Sequence, residues 1–299
     1  MVRRVADGPI ATMQYHRIRI GDADYLAGLA GNGPPMLLLH GFPQTHYCWR
    51  DVIPLIAREH TVVAPDLRGY GASSAPAGGP RGEGFSKREV ADELVELMAA
   101  LELTRFAVVG HDRGARVAYR MALDHRNRVD RLVVLNVVPT LDQLERMGDG
   151  PSLGYWPWFL LAQPAPFPER LIGAEREHFL RFVFDSWTGD PRAIDADAFG
   201  EYLRAMDEAT IASMCADYRA SFWIDRQDDA ADREGGRLID CPVLLVTGAE
   251  EAQLGDAPTI WRRWARDLHA LTLPGGHFIP EEASLELAVA LVEFLGMRP

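Results

Sequence analysis

The sequence predicts an α/β protein: a mostly parallel, doubly wound sheet with a helical cap inserted between two of its strands. Three observations carry this. Short apolar runs recur along the chain with helical patterns between them, as parallel strands joined by crossover helices require. One such run passes through Gly110-His111-Asp112-Arg113-Gly114 directly into a helical pattern. The interval 139–237 then breaks the rhythm with aromatics, prolines and further helical patterns before strand-like runs resume. The core is therefore placed at 1–138 and 238–299, and the cap at 139–237.

Taken in order, His16-Arg17-Ile18-Arg19-Ile20 alternates and meets Gly21-Asp22, the pattern of an N-terminal hairpin strand. Met36-Leu37-Leu38-Leu39-His40 and Thr61-Val62-Val63-Ala64-Pro65 are continuous apolar runs suited to strands buried on both faces. Ser86 and Glu89 stand at capping-box spacing and open an amphipathic helix that runs to Leu101. Phe106-Ala107-Val108-Val109 leads into the glycine-flanked turn, and Arg131-Leu132-Val133-Val134-Leu135, Val243-Leu244-Leu245-Val246 and Leu271-Thr272-Leu273 complete the sheet. Tyr155-Trp156-Pro157-Trp158-Phe159 and Pro164, Pro166 and Pro168 begin the cap. The acidic run 225–234 lacks calcium-loop spacing and reads as a solvated loop or helix end.

Composition narrows the partners. With 47% hydrophobic and 25% charged residues in 299, the chain is an ordinary globular protein. No stretch is long and apolar enough to span a bilayer, and the N-terminus lacks a signal-peptide core. Cys48, Cys215 and Cys241 are scattered without metal spacing, as suits free thiols in a reducing cytoplasm. Any disorder is confined to the first few residues. A net charge of −12 opposes nucleic acid but still permits a small anion held by local arginines.

Strand, Gly-x-nucleophile-x-Gly and helix make a nucleophile elbow, a sharp turn that lifts the central side chain toward backbone N–H groups at the helix start. That residue is Asp112, not serine. A carboxylate nucleophile forms an ester with saturated carbon, as in halide displacement or epoxide opening. The ester needs a base, and His277 in Gly275-Gly276-His277 follows the last strand at the same sheet edge. The N–H groups of Phe42, in His40-Gly41-Phe42-Pro43, and of Arg113 face the charge developing on the Asp112 carboxyl. The Phe42-Pro43 bond is a candidate for the cis form. Arg116 lies one helical turn past Asp112, so Arg113 and Arg116 can converge on a substrate carboxylate; pairing with surface acids is the alternative.

These residues resemble the α/β-hydrolase superfamily, in the branch of haloalkane dehalogenases, epoxide hydrolases and fluoroacetate dehalogenases. His40-Gly41-Phe42-Pro43-Gln44, the aspartate elbow and Asp66-Leu67-Arg68-Gly69-Tyr70-Gly71 are shared across that branch. Asp112-Arg113-Gly114-Ala115-Arg116 is similar to the fluoroacetate (haloacetate) dehalogenase pattern, as are Leu161-Ala162-Gln163-Pro164 and Asp217-Tyr218-Arg219. The resemblance implies hydrolytic dehalogenation of small 2-haloacids with no cofactor and no metal. It places Arg113 and Arg116 on the substrate carboxylate and Trp158 and Tyr218 at the halide.

Two positions depart from that pattern. The family's triad acid directly follows the strand equivalent to 131–135, where this chain has Asn136, an amide able at most to hold a histidine tautomer. Haloalkane dehalogenases and epoxide hydrolases carry the acid after the next strand. That makes Glu251, in Gly248-Ala249-Glu250-Glu251, the candidate, with two solvated loop glutamates as the alternative. Pro157 stands where the family has a halide-binding histidine, which implies weak fluoride release or a preference for larger halides. An epoxide hydrolase with Tyr218 and Tyr155 as acid donors is the rival enzyme, and a non-catalytic carboxylate-binding protein the rival from another class. The oligomeric state stays open, a homodimer included.

Overall fold

In the computed structural model, which describes residues 2–5, 8–147, 152–251 and 254–296, nine strands form one sheet. They are β1 (Val2–Arg4), β2 (Gln14–Ile20), β3 (Ala23–Ala30), β4 (Pro35–Leu39), β5 (Thr61–Pro65), β6 (Phe106–His111), β7 (Val129–Leu135), β8 (Val243–Gly248) and β9 (Leu268–Leu273). Their spatial order is β1-β2-β3-β5-β4-β6-β7-β8-β9. Pairing is antiparallel from β1 to β5 and parallel from β5 onward. The expected hairpin forms across Gly21-Asp22, with Ile20 opposite Ala23. Residues 2–4, within the stretch to which any disorder was confined, make an edge strand on β2. Met1, Ala6, Asp7 and residues 297–299, where the outer limits of the expected core fall, lie outside the described residues.

Met36, Leu37, Leu38 and Leu39 are fully buried, as a central strand covered on both faces demands. β4 lies between β5 and β6, so sheet growth reverses direction there. In open α/β sheets the crevice at such a reversal, outside the strand C-termini, is where ligands bind.

Helices α1 (Ile53–Ile56), α2 (Lys87–Ala100) and α3 (Arg113–Asp124) belong to the first half of the sheet. The capping box forms: Glu89 N–H donates to Ser86 Oγ, and Ser86 N–H to Glu89 Oε2, both at 3.2 Å. Between β7 and β8 come α4 (Thr140–Arg146), α5 (Trp156–Leu161), α6 (Phe167–Ala174), α7 (Arg176–Trp187), α8 (Ala196–Ala205), α9 (Glu208–Ala220) and α10 (Arg226–Glu234), with a π-helical turn at Ser221–Asp225. After β8 follow α11 (Ala257–Trp261), α12 (Ile279–Glu282) and α13 (Ser284–Gly296).

The acidic run is not the solvated segment its composition suggests. Asp225, Asp229 and Asp232 are buried, because the π-helical turn and α10, packed on α4, meet Lys87 of α2 and Arg120 of α3. Arg120 donates to Asp229 Oδ1 at 2.8 Å and to Asp232, while Tyr119 Oη and Leu141 N–H satisfy Asp229 Oδ2 at 2.8 and 3.1 Å. Removing one partner of a buried ion pair strands the other charge, which typically costs about 3–5 kcal/mol. Arg120→Met is therefore expected to lower the unfolding free energy by that order, seen as a fall in the urea midpoint at unchanged slope, and an unchanged midpoint would show that the pairs add nothing to stability.

Candidate active site

Five strand ends converge at the crevice. β4 is followed by Phe42, β6 by Asp112, β7 by Asn136, β8 by Glu251 and β9 by His277. Asp112 holds φ 45° and ψ −111°, a region side chains rarely adopt, which is the strain expected of an elbow. The turn closes only around small neighbours. A Cβ on Gly114 would sit 2.4 Å from His40 O, and one on Gly41 would sit 2.5 Å from Asp112 Cβ.

That close approach sets the roles of the two carboxylate oxygens. Asp112 Oδ1 accepts the Phe42 N–H at 2.9 Å, beside the Phe42–Pro43 cis peptide. Oδ2 lies 4.0 Å from His277 Nε2. On the other side of the ring, His277 Nδ1–H donates to Glu251 Oε2 at 2.9 Å. Nε2 has no hydrogen-bond partner, so its lone pair is free on the Asp112 side. Arg113 opens α3, and its own N–H has no acceptor within the helix.

Burial opposes charge on His277, but the bond to Glu251 and the nearby carboxylates of Glu251, Asp112 and Glu282 hold its pKa above the ordinary range. Burial also works against ionised Asp112. There His277, Arg113, His111 and Arg116 more than offset it, so the carboxyl titrates below its usual range. Burial pushes His111 down to about 3, and its Nε2–H donates to His277 O at 2.8 Å. A cavity of about 40 Å³ lies above Asp112, walled by Arg116, Trp158, Tyr218, Glu251 and His277. A cavity of ~10–15 Å³ on this measure holds one water, so the space suits a ligand of a few heavy atoms.

Residues 34–284 match the alpha/beta hydrolase fold family. The chain belongs to that family. It is 40% identical to a fluoroacetate dehalogenase of Burkholderia sp, over 93% of this chain and 92% of that protein. A soluble epoxide hydrolase of Corynebacterium sp. (strain C12) is 32% identical over 85% of this chain and 87% of its own. A crystal structure of an alpha/beta hydrolase from Nostoc sp PCC 7120 superposes with a TM-score of 0.94 at 41% identity, covering 97% of this chain and all of that one. The strands and helices of this chain are thus arranged as in that hydrolase.

Within this hydrolase, Asn136 directs its hydrogen bonds to backbone and not to the imidazole. It takes φ 54°, a left-handed conformation that asparagine tolerates better than most residues. From there Nδ2 donates to Gly276 O at 2.9 Å and His277 O at 2.8 Å, and Oδ1 accepts the Gly248 N–H at 2.8 Å. The expected tautomer-holding role is corrected accordingly. Asn136 fastens the backbone of the histidine loop to β8, and Glu251 is the carboxylate on the ring. Glu250 is exposed.

The arginines divide. Arg113 Nε donates to Asp217 Oδ2 at 2.6 Å, and its Nη2 to Asp217 O and Ser221 Oγ. Its guanidinium is neutralised by α9 and, apart from an unpartnered Nη1, is already committed. Arg116 has no carboxylate partner among the described residues. Its Nη1 donates to Val138 O and Thr140 Oγ1 at 3.0 and 3.1 Å, its Nε is unpartnered, and its Cζ lies 4.7 Å from the centre of the Trp158 ring. Burial, followed by the like charge of Arg113, lowers its pKa. Trp158 and Tyr218 meet edge to face at 5.5 Å on the cavity wall. Pro157 is buried in α5.

Sequence reasoning missed Glu282, Trp187 and Gln143. Glu282 accepts N–H bonds from Gly276, Phe278 and Gly189 at 2.8, 2.8 and 2.7 Å, and from Asp190 at 3.2 Å. It thereby grips both sides of His277 and ties them to the end of α7. Trp187 lines the cavity, and its carbonyl accepts the His277 N–H at 2.9 Å. The glutamate pair after Pro280 carried a faint signal; a lone tryptophan and a lone glutamine carried none. No group of three or more metal-ligating side chains and no helix able to cross a membrane occurs among the described residues.

Proposed function

We propose that this alpha/beta hydrolase is a hydrolytic dehalogenase of small 2-haloacids. The observation that carries the reading is Arg116, a buried cation without a carboxylate partner among the described residues, facing the same small cavity as Asp112 and His277. Removing a cation from water without an anion is costly, and a substrate carboxylate supplies the missing charge. The fluoroacetate dehalogenase relative supports the same chemistry.

Asp112 Oδ2 attacks the halogen-bearing carbon and the halide leaves in line, giving an ester on Oδ2. His277 Nε2 takes a proton from water as that water attacks Asp112 Cγ. Charge gathers on Oδ1, where the Phe42 N–H already donates. Glu251 stabilises the imidazolium, which then protonates the departing hydroxyacid oxygen. The Cγ–Oδ2 bond breaks and Oδ2 leaves as the hydroxyl oxygen of the hydroxyacid. The water oxygen takes its place on Cγ, and its remaining proton is released to solvent, restoring ionised Asp112. Arg116 orients the carboxylate, with the remaining Arg113 Nη1 beside it, and Trp158 and Tyr218 receive the halide. Pro157 brings no side-chain donor, so chloride and bromide leave more readily than fluoride, whose departure depends on hydrogen bonds.

The test is halide release from fluoroacetate, chloroacetate and bromoacetate, with styrene oxide in parallel. Chloride and bromide release faster than fluoride is the expected outcome. The second reading, an epoxide hydrolase, is favoured by Tyr155 and Tyr218 lining one cavity; diol formation without any halide release would install it. Hydrogen bonds to a charged group contribute about 1.5–3 kcal/mol, so Arg116→Leu should raise KM for chloroacetate roughly 10–100-fold. Steady-state kinetics check this, and an unchanged KM would remove Arg116 from the carboxylate.

A further inference from the structure

We infer that Gln143 is a specificity-determining residue of this cavity, its side-chain amide donating to the substrate carboxylate beside Arg116. The inference rests on the dehalogenase reading for the substrate's identity, and on geometry for the contact. Gln143 lines the same cavity as Asp112, Arg116 and His277, is 4% exposed, and its Nε2 has no hydrogen-bond partner. Buried amides are almost always satisfied, because an unpaired one forfeits its bonds to water. One left open on a cavity wall is accounted for by a ligand that closes it.

Its place in the fold identifies the ligand group. Gln143 lies three residues after Thr140 on α4, and side chains at that spacing share a helix face. Thr140 Oγ1 is where Arg116 Nη1 donates, at 3.1 Å. The glutamine thus stands one helical step from the guanidinium. Among the described residues around this cavity, Gln143 Nε2, Arg116 Nε, Arg113 Nη1 and His277 Nε2 are buried nitrogens without a hydrogen-bond partner. Three belong to groups that donate only, or that can turn a donor toward an anion, and the fourth faces Asp112. Asp112 and Glu251 also line the cavity, but they are held by Phe42 N–H and by His277, and the unfilled donors of Gln143, Arg116 and Arg113 define a site for an anion. The amide orientation that turns NH₂ inward is the one an anion selects.

The experiment compares wild type with Gln143→Leu, which removes the donor at similar volume, and Gln143→Glu, which keeps the shape and sets a negative charge against the carboxylate. One charge-assisted hydrogen bond is lost in the leucine variant, so its KM should rise about tenfold with kcat little changed. The glutamate variant should lose more. Both effects should be equal for chloroacetate and bromoacetate, because the carboxylate is common to the two. An effect confined to one halide would assign Gln143 to the leaving group and overturn the inference, as would a KM within twofold of wild type in both variants. Glycolate binding by titration calorimetry gives a readout independent of turnover. If wild type binds glycolate but releases no halide, the dehalogenase reading fails while Gln143 is still tested by the affinity of its variants. Normal halide release with unchanged variants defeats Gln143 alone. Neither binding nor release defeats both.

Discussion

His277→Ala will accept one substrate molecule and stop. Displacement of halide needs only an ionised Asp112 and a seated carboxylate, and neither depends on the imidazole as a base. Loss of His277 removes one of the charges that hold the Asp112 pKa low, but Arg113 and Arg116 remain. Ester hydrolysis is different. Water must lose a proton as it attacks, and His277 Nε2, without a partner of its own and 4.0 Å from Asp112 Oδ2, is the base in position to take it. General-base removal costs up to about 10⁴-fold, so steady-state halide release should fall by that order while the first turnover survives. Rapid quench with chloroacetate should show a chloride burst equal to the enzyme present. Intact mass should rise by one carboxymethyl group, mapped to Asp112. An absent burst with unmodified Asp112 would sink the ester mechanism.

The parts of this arrangement that the sequence made legible are those written in consecutive residues. Gly110 to Gly114 encodes a turn, and the φ of 45° at Asp112 is the physical form of that encoding. Ser86 and Glu89 cap a helix three residues apart. The parts that stayed hidden depend on partners brought together by the fold. Asp217 reaches Arg113 across 104 positions of sequence, so the two arginines looked equivalent when one is already neutralised. The acidic run looked solvated because its buried cations, Lys87 and Arg120, sit on helices more than a hundred positions earlier. Glu251 stood against a pair of solvated loop glutamates because its partner, His277, is 26 positions away; the fold brings the two together and leaves Glu250 exposed.

Asn136 shows the limit most clearly. Read against a family pattern it looks like a missing acid. Read through its hydrogen bonds it is a two-sided fastener, with donors toward the histidine loop and an acceptor toward β8. Both the left-handed backbone and the amide chemistry suit that task. A carboxylate on the histidine already exists one strand further along, so the position after β7 is released from supplying one.

Glu251→Gln is the variant that tests this division of labour. An amide preserves the contact with His277 Nδ1 but cannot stabilise an imidazolium, and the equivalent loss in a serine-protease triad costs about 10⁴-fold in kcat. Displacement does not call on that charge, so the chloride burst should persist with slow decay of the ester. The pH profile moves as well. His277 acts as a base only when neutral, so activity rises with pH through its pKa. Glu251 is the main influence raising that pKa against burial, and its neutralisation should shift the rising limb to lower pH. Adding Asn136→Asp should not restore activity. The new carboxylate would face Gly276 O and His277 O at 2.9 and 2.8 Å with no proton to offer, repelling the loop it is meant to hold. Unmade bonds of this kind cost about 1–3 kcal/mol, so Asn136→Asp alone should also lower the melting temperature. Recovery of turnover in the double variant would mean that the imidazole can turn to an acid after β7, and would return that position to the catalytic machinery.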